Sequence, residues 1–539
     1  MFSNRSNIFY IALLILAWGI MLCIANPSGN FPLNDDWMYS RPVSYLIRDH
    51  IYKVTDEYSP VLVAQVFWGA LFCFPFGFSF MTLRISVIVL GILSSIALYF
   101  LLNRLSGNKL FSFCCFLLIL CNPLFFCLSN SFMTDIPFLS FSLLSFLFFF
   151  KALERPNLLL TIIATTIAIF ATLTRQFGMV IPISFAITAI VLRKQGIVIR
   201  TFYILPVIII GWLLHYTMDL LRSKGFYPYG GTEIGTLLLA PALFHQVIER
   251  CGIVLSYAGF FLSPLLILLQ NPFNGLSKRR KISVNIFILF FIPMLITAWP
   301  LLPTGNYINT AGMGPMTVKN GTQTLTDFPE TLLTVLHGIA FTGALFLLAN
   351  LGKVITDIIS SFRAGSMDMF LRRKLFLLLC VLGYGFLVAL PDFFFDRYIT
   401  YFFPLLLMII VPRAENMVKP PVSAITFSGV MALVFMIFGV LATHDYFAWN
   451  RVRWQAVGYL QDELKISPHK MDGGYEYNGW AIGIWYPAVP GKSWWYVDDD
   501  EYTISFDKEE GYSILKEYPV KRYLPAAEDK MYILHRNPK

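Results

Sequence analysis

Four short polar groups interrupt a very apolar chain, and their residue types could move a proton or hold an anion. The first, Asn34-Asp35-Asp36-Trp37-Met38-Tyr39, sets two carboxylates side by side. Adjacent acids near a membrane surface repel each other unless a cation, a metal or deep hydration separates them. One of them is the right type to take a proton from an acceptor hydroxyl. A helix start, with Asn34 or Asp35 as N-cap, uses the same residues. The second group, Ser131 to Phe138, carries Asp135 ahead of a long apolar run, with Thr134 as a cap candidate. An acid at that depth is costly without a partner. The third, Leu173-Thr174-Arg175-Gln176, puts Arg175 in a hairpin between two apolar segments, where it suits a phosphate or a snorkelling anchor. The fourth, Phe395-Asp396-Arg397-Tyr398, repeats that logic, with Asp396 as a candidate mate of Arg397 in a local pair of small value. Two acids and two arginines in one cleft would suit group transfer from a lipid phosphate: Arg holds the leaving phosphate and Asp activates the nucleophile.

The elements that must position these groups follow from composition. Of 539 residues, 57% are hydrophobic and 14% charged, with 51 Phe. A soluble domain carries about 25% charged residues, so the chain reads as a polytopic helical membrane protein. Apolar runs at 8–25, 84–103, 110–128, 134–150, 158–173, 177–192, 202–218, 252–270, 284–301, 332–350, 375–391, 398–412 and 422–441 predict about thirteen transmembrane helices. The net charge of +9 reads as topology rather than nucleic-acid binding. Arg5, Arg104/Lys109, Lys151/Arg155, Arg193/Lys194/Arg200, Lys278–Lys281, Arg372–Lys374 and Arg413/Lys419 all fall on one side, the cytoplasm by the positive-inside rule. A crossing at 61–80 would break that pattern, so this run is expected to form a juxtamembrane or re-entrant element on the outer side, interrupted by Pro75 and Gly77, with a fourteenth span as the alternative.

The outer side then holds the first loop (26–83), the short connections at 129–133 and 174–176, and a small α/β domain from 443 to 539, with residues 1–442 as the membrane body. Candidate strands are 494–497, 502–506 and 531–535. Tyr475, Tyr477, Trp480, Trp494 and Trp495 could stack on sugars or fill that domain's core. Asp498–Glu501 reads as a solvated turn. The eight cysteines lie mostly in apolar runs and support neither a disulfide framework nor a zinc site.

At these residues the chain resembles the C-type glycosyltransferases, in the branch that holds the protein O-mannosyltransferases and the lipid A aminoarabinose transferases. The likeness runs through Asp35-Asp36-Trp-Met-Tyr39, then Glu57-Tyr58-Ser59-Pro60-Val61 before Phe67-Trp68, then Arg84 at the next span. It continues in Asn122-Pro-Leu-Phe125 through Thr134-Asp-Ile-Pro-Phe138, in Thr174-Arg175-Gln176, and in Arg397-Tyr398. The resemblance implies a bacterial inner-membrane enzyme with a cytoplasmic N-terminus and a periplasmic or extracellular C-terminal domain. It implies a sugar carried on a polyprenyl phosphate and an acceptor hydroxyl on a cell-envelope glycan, such as lipopolysaccharide, on a lipid or on a protein.

Asp35 is then the base of an inverting transfer, with Asp36 beside it and Asp135 as a second acid. Tyr39, Glu57, Tyr58 and Tyr398 line the substrate. The family's Arg and Lys positions are Met38 and Tyr58 here, so Arg41, Arg84, Arg175 and Arg397 are the candidates to hold the lipid phosphate. The change points to a different sugar or acceptor from that of the aminoarabinose enzymes. No cofactor is required on this reading, although Asp35, Asp36 and Asp135 could supply oxygen ligands to a divalent cation. A transporter or flippase for lipid-linked sugars would place charges near the midplane and show repeats. A glycan polymerase or ligase would rely on one large outer loop. Both remain as alternatives.

Overall fold

A computed structural model describes residues 5–54, 61–155, 157–191, 197–224, 243–298, 307–308, 330–391, 393–483, 497–524 and 526–538. Glu57, Tyr58, Trp494 and Trp495 lie outside the described residues, as does most of the 494–497 candidate strand.

The body is helical. Among the described residues, eight helices are long and apolar enough to cross a membrane: Arg5–Ala25, Phe80–Ser106, Asp135–Glu154, Phe202–Ser223, Leu243–Leu266, Lys278–Thr297, Glu330–Arg363 and the Val422–Glu463 stretch. Lys109–Leu120, Leu158–Thr174 and Gln176–Ile190 are shorter apolar helices. Met369–Val388 is an unbroken helix that carries Arg372, Arg373 and Lys374 near its start, and the 398–412 run folds as a 3-10 turn at Asp396–Tyr401 followed by the helix Phe402–Ile410. Among the described residues, every apolar run read from the sequence overlaps helix, though not every one is a full-length span.

Arg5–Ala25 shows how these helices are used. Leu14, Trp18, Met21 and Ala25 form a stripe at helical spacing that faces the core, and Trp18 donates to Ser95 Oγ at 3.2 Å. Ile8, Leu16, Ile20 and Ile24 stay exposed on the other sides, which is the pattern of a helix that meets lipid rather than water. Asp135–Glu154 is the opposite case: it sits deep in the bundle, with Phe149 against Phe185 at 4.4 Å and Phe146 edge-on to Phe376 at 5.1 Å.

The 61–80 run forms the helix Val63–Phe76, which starts after Leu62 in a left-handed conformation and stops at Gly77. Its 14 residues are shorter than the roughly 20 a span needs. It packs on Asp36–Arg48, Phe80–Ser106 and Leu158–Thr174.

At one end of the body the basic residues are tied together. Glu154 accepts from Arg104 and Arg373, Arg413 meets Asp368, Arg280 meets Asp357 at 3.1 Å, and Lys374 donates to the Val411 carbonyl at 3.0 Å. The other end carries the small C-terminal sheet domain. Val422–Gly458 runs through position 443 without a break and delivers the chain to a four-stranded sheet. The strands are β1 (Met471–Asp472), β2 (Tyr502–Ser505), β3 (Tyr512–Tyr523) and β4 (Ala526–Arg536), in the order β1-β2-β4-β3. β1 and β2 are parallel, and the other two pairings are antiparallel. A short helix, Tyr475–Ala481, follows β1 and is pressed onto Asp36–Arg48 of the first loop. Gly479 permits that approach, because a Cβ there would lie 2.4 Å from the Trp37 ring. All eight cysteines are free.

Candidate active site

Asp35 occupies the N-cap position of Asp36–Arg48 but makes no side-chain capping bond. Its carboxylate is used elsewhere. Oδ2 meets Arg397 Nη1 at 2.9 Å, and Oδ1 accepts from the Tyr475 hydroxyl at 2.8 Å. Asp135 opens the central helix, and it too is more than a helix-start acid. Arg175 Nη2 lies 3.0 Å from its Oδ1, and Arg175 Nε donates to Thr134 Oγ1 at 2.6 Å, so Thr134 serves the arginine instead of capping the helix. Both members of the Arg175–Asp135 pair are buried.

The two pairs share Tyr398. The Arg175 guanidinium stands 5.4 Å from the centre of that ring and the Arg397 guanidinium 5.5 Å. Arg397 also touches Met133 Sδ, next to Thr134, and its buried Nε has no hydrogen-bond partner among the described residues. Asp135 Oδ2 likewise accepts no hydrogen bond. Tyr39 is buried one helical turn beyond Asp35, within electrostatic reach of Arg397, Asp35 and Arg175. Four regions of the chain thus bring Asp35, Asp135, Arg175 and Arg397 to one place, with Tyr39 and Tyr398 beside them. Gly178 makes the Arg175 hairpin possible, since a Cβ there would press on the Thr172 backbone at 2.6 Å.

The other sequence candidates are placed differently. Asp36 turns away from its neighbour. Its Oδ1 accepts from Leu33 N at 2.6 Å and its Oδ2 from Phe132 N at 3.2 Å, which ties the first loop to the 129–133 connection. Arg84 donates to the carbonyls of Pro27, Gly29 and Phe31, with Phe31 and Phe447 on its faces. Arg41 lies between Trp37 and Trp480 and donates to the carbonyls of Gly479 and Trp480. These two arginines hold backbone together. Asp396 is not the mate of Arg397: it accepts from the backbone N–H groups of Tyr307 and Ile308, both at 2.8 Å. No group of three or more His, Cys, Asp or Glu side chains placed to hold a metal ion is found among the described residues.

Burial pushes the Asp36 carboxyl up from 3.8 to about 8, against the pull of Arg84. The folded chain keeps this proton where the unfolded chain has lost it. Its contribution to stability therefore falls as pH rises from about 4 to about 8. Thermal midpoints in detergent across that window should drop more steeply for the wild type than for Asp36→Asn.

Sequence reasoning missed Tyr475 as a site residue and missed the partner of Asp36. One hint was available for the first: Tyr475 stood among the aromatics expected to stack or to fill a core. Here Tyr475 reaches Asp35, Tyr477 packs edge-on against Trp454, and Trp480 stacks on Phe78.

Residues 60–218 match the family model described as dolichyl-phosphate-mannose-protein mannosyltransferase. That stretch contains Asp135 and Arg175, and the fold brings Asp35 and Arg397 to it from outside. The match supports a membrane glycosyltransferase. Among solved structures, the chain is similar to ArnT from Cupriavidus metallidurans in the apo state, at 12% identity and a TM-score of 0.40, with 99% of each chain covered. No curated protein matches.

Proposed function

We propose that this chain is a C-type glycosyltransferase that moves a sugar from a polyprenyl-phosphate carrier to an acceptor hydroxyl at the membrane face bearing the soluble domain. The observation that carries the reading is the meeting of Asp35, Asp135, Arg175 and Arg397 around Tyr398. In the reaction, Asp35 takes the acceptor proton as the hydroxyl oxygen bonds to the anomeric carbon. The bond from that carbon to the phosphate oxygen breaks, and its electron pair leaves with the polyprenyl phosphate. Attack from the face opposite the phosphate inverts the linkage. The leaving group gains one negative charge, so cations that wait for it stabilise the transition state more than the bound donor. Arg397 suits that role because its Nε is buried and unpartnered. Arg175 keeps Asp135 compensated, and the buried, unpartnered Oδ2 of Asp135 is an acceptor for a sugar or acceptor hydroxyl.

The test uses purified full-length protein and polyprenyl-phosphate mannose with a labelled sugar. Release of polyprenyl phosphate is expected in the presence of an envelope extract that supplies acceptors. Arg397→Gln should weaken binding of polyprenyl phosphate itself by about tenfold or more, the cost of a lost charged hydrogen bond. Unchanged phosphate binding in that variant would remove the arginine from the proposal.

A further inference from the structure

We propose that Tyr475, supplied by the soluble domain, is a positioning residue for Asp35, so that the two parts of the molecule hold the reacting carboxylate jointly. The inference rests on the reading of Asp35 as the base and names how that base is aimed. Three observations carry it. First, the Asp35 side chain is partly exposed and makes no capping bond to its own helix, so neither packing nor capping fixes its rotation. Second, the two groups that do fix it come from opposite sides: Arg397 on Oδ2 at 2.9 Å, and the Tyr475 hydroxyl on Oδ1 at 2.8 Å. Third, Tyr475 is itself held to the same loop. Its ring packs edge-on against Trp37 at 5.9 Å. The next residue, Glu476, accepts from Asn34 N at 3.0 Å and from Arg453 at 2.6 Å. Asn34 stands in a left-handed conformation immediately before Asp35. Two consecutive residues of the soluble domain therefore grip two consecutive residues of the first loop.

A carboxylate restrained at both oxygens holds its remaining lone pairs in fixed directions. Without the tyrosine hydroxyl it can rotate about Arg397, and fewer bound acceptors find it aligned. The loss falls on the chemical step and leaves donor binding alone.

Tyr475→Phe keeps the ring against Trp37 and deletes only the donor. Two readouts on full-length protein judge it. One is the carboxylate stretching band of Asp35, isolated by infrared difference against Asp35→Asn in the wild-type and Tyr475→Phe backgrounds. The other is release of polyprenyl phosphate from polyprenyl-phosphate mannose, per folded molecule. The band is expected to shift, and kcat to fall about tenfold with the donor KM and the thermal midpoint unchanged. An unmoved band, or a kcat equal to wild type, overturns the proposal. A fall in the midpoint with kcat per folded molecule intact also overturns it, because that is what a purely structural tyrosine gives. The band is read without substrate. Wild-type turnover in Asp35→Asn would sink the base assignment, while a dead Asp35→Asn beside an unaffected Tyr475→Phe would sink only the tyrosine.

Discussion

Asp35→Asn is expected to lower sugar transfer by about 10²–10⁴-fold, the usual contribution of a positioned general base. The substitution is close to isosteric, and the amide oxygen can still accept from Tyr475. What it removes is the ability to take a proton, together with the charge that faces Arg397. The second change makes the experiment informative, because Arg397 is then free to meet an anion. Binding of polyprenyl phosphate should be kept or strengthened while turnover disappears. A variant that fails to fold would lose both. Single-turnover release of polyprenyl phosphate, with binding measured separately, distinguishes the cases.

The largest stability effect is expected at Arg453 and Glu476. Both side chains are fully buried, and their 2.6 Å contact joins the last long helix to the helix that carries Tyr475. Arg453 also donates to Asn450 Oδ1 at 2.6 Å. Glu476→Ala leaves a buried guanidinium without its counter-charge and Asn34 N without its acceptor. Removing one partner of such a pair costs about 3–5 kcal/mol. Replacing both, as in Arg453→Met with Glu476→Leu, leaves no orphan charge and should recover most of the loss. Thermal midpoints in detergent for the single and double variants measure this. Equal midpoints for wild type and Glu476→Ala would show that the pair does not hold the domain in place.

Much of this was legible in the sequence because membrane constraints are simple. Apolar length marks the helices, and charges on the wrong side of them mark the exceptions. Asp135 and Arg175 could be picked out because each had to have a partner at that depth, and each has the other. The partners of Arg397 and Asp396 were not legible. Adjacency favoured pairing them with each other, but a 3-10 turn sends their side chains apart, one to Asp35 and one to the backbone at 307–308. Asp35 and Asp36 separate for a similar reason, since neighbours on a helix point about 100° apart. Arg41 was a phosphate candidate by charge and Arg84 by charge and its place in the family motif, and only the fold reveals the carbonyls that occupy them. Tyr475 could not be reached by spacing, because 440 positions separate it from Asp35.

That separation gives the Asp35–Tyr475 contact a meaning in time. Synthesis runs from the N-terminus, so Asp35 enters the membrane 440 residues before its tyrosine is made. A nascent chain, or one clipped after the long final helix, owns the acid, both rim arginines and the lipid-facing body, yet lacks the group that aims the acid. On the proposed reading, such a chain would hold the acid through Arg397 alone and would transfer sugar more slowly.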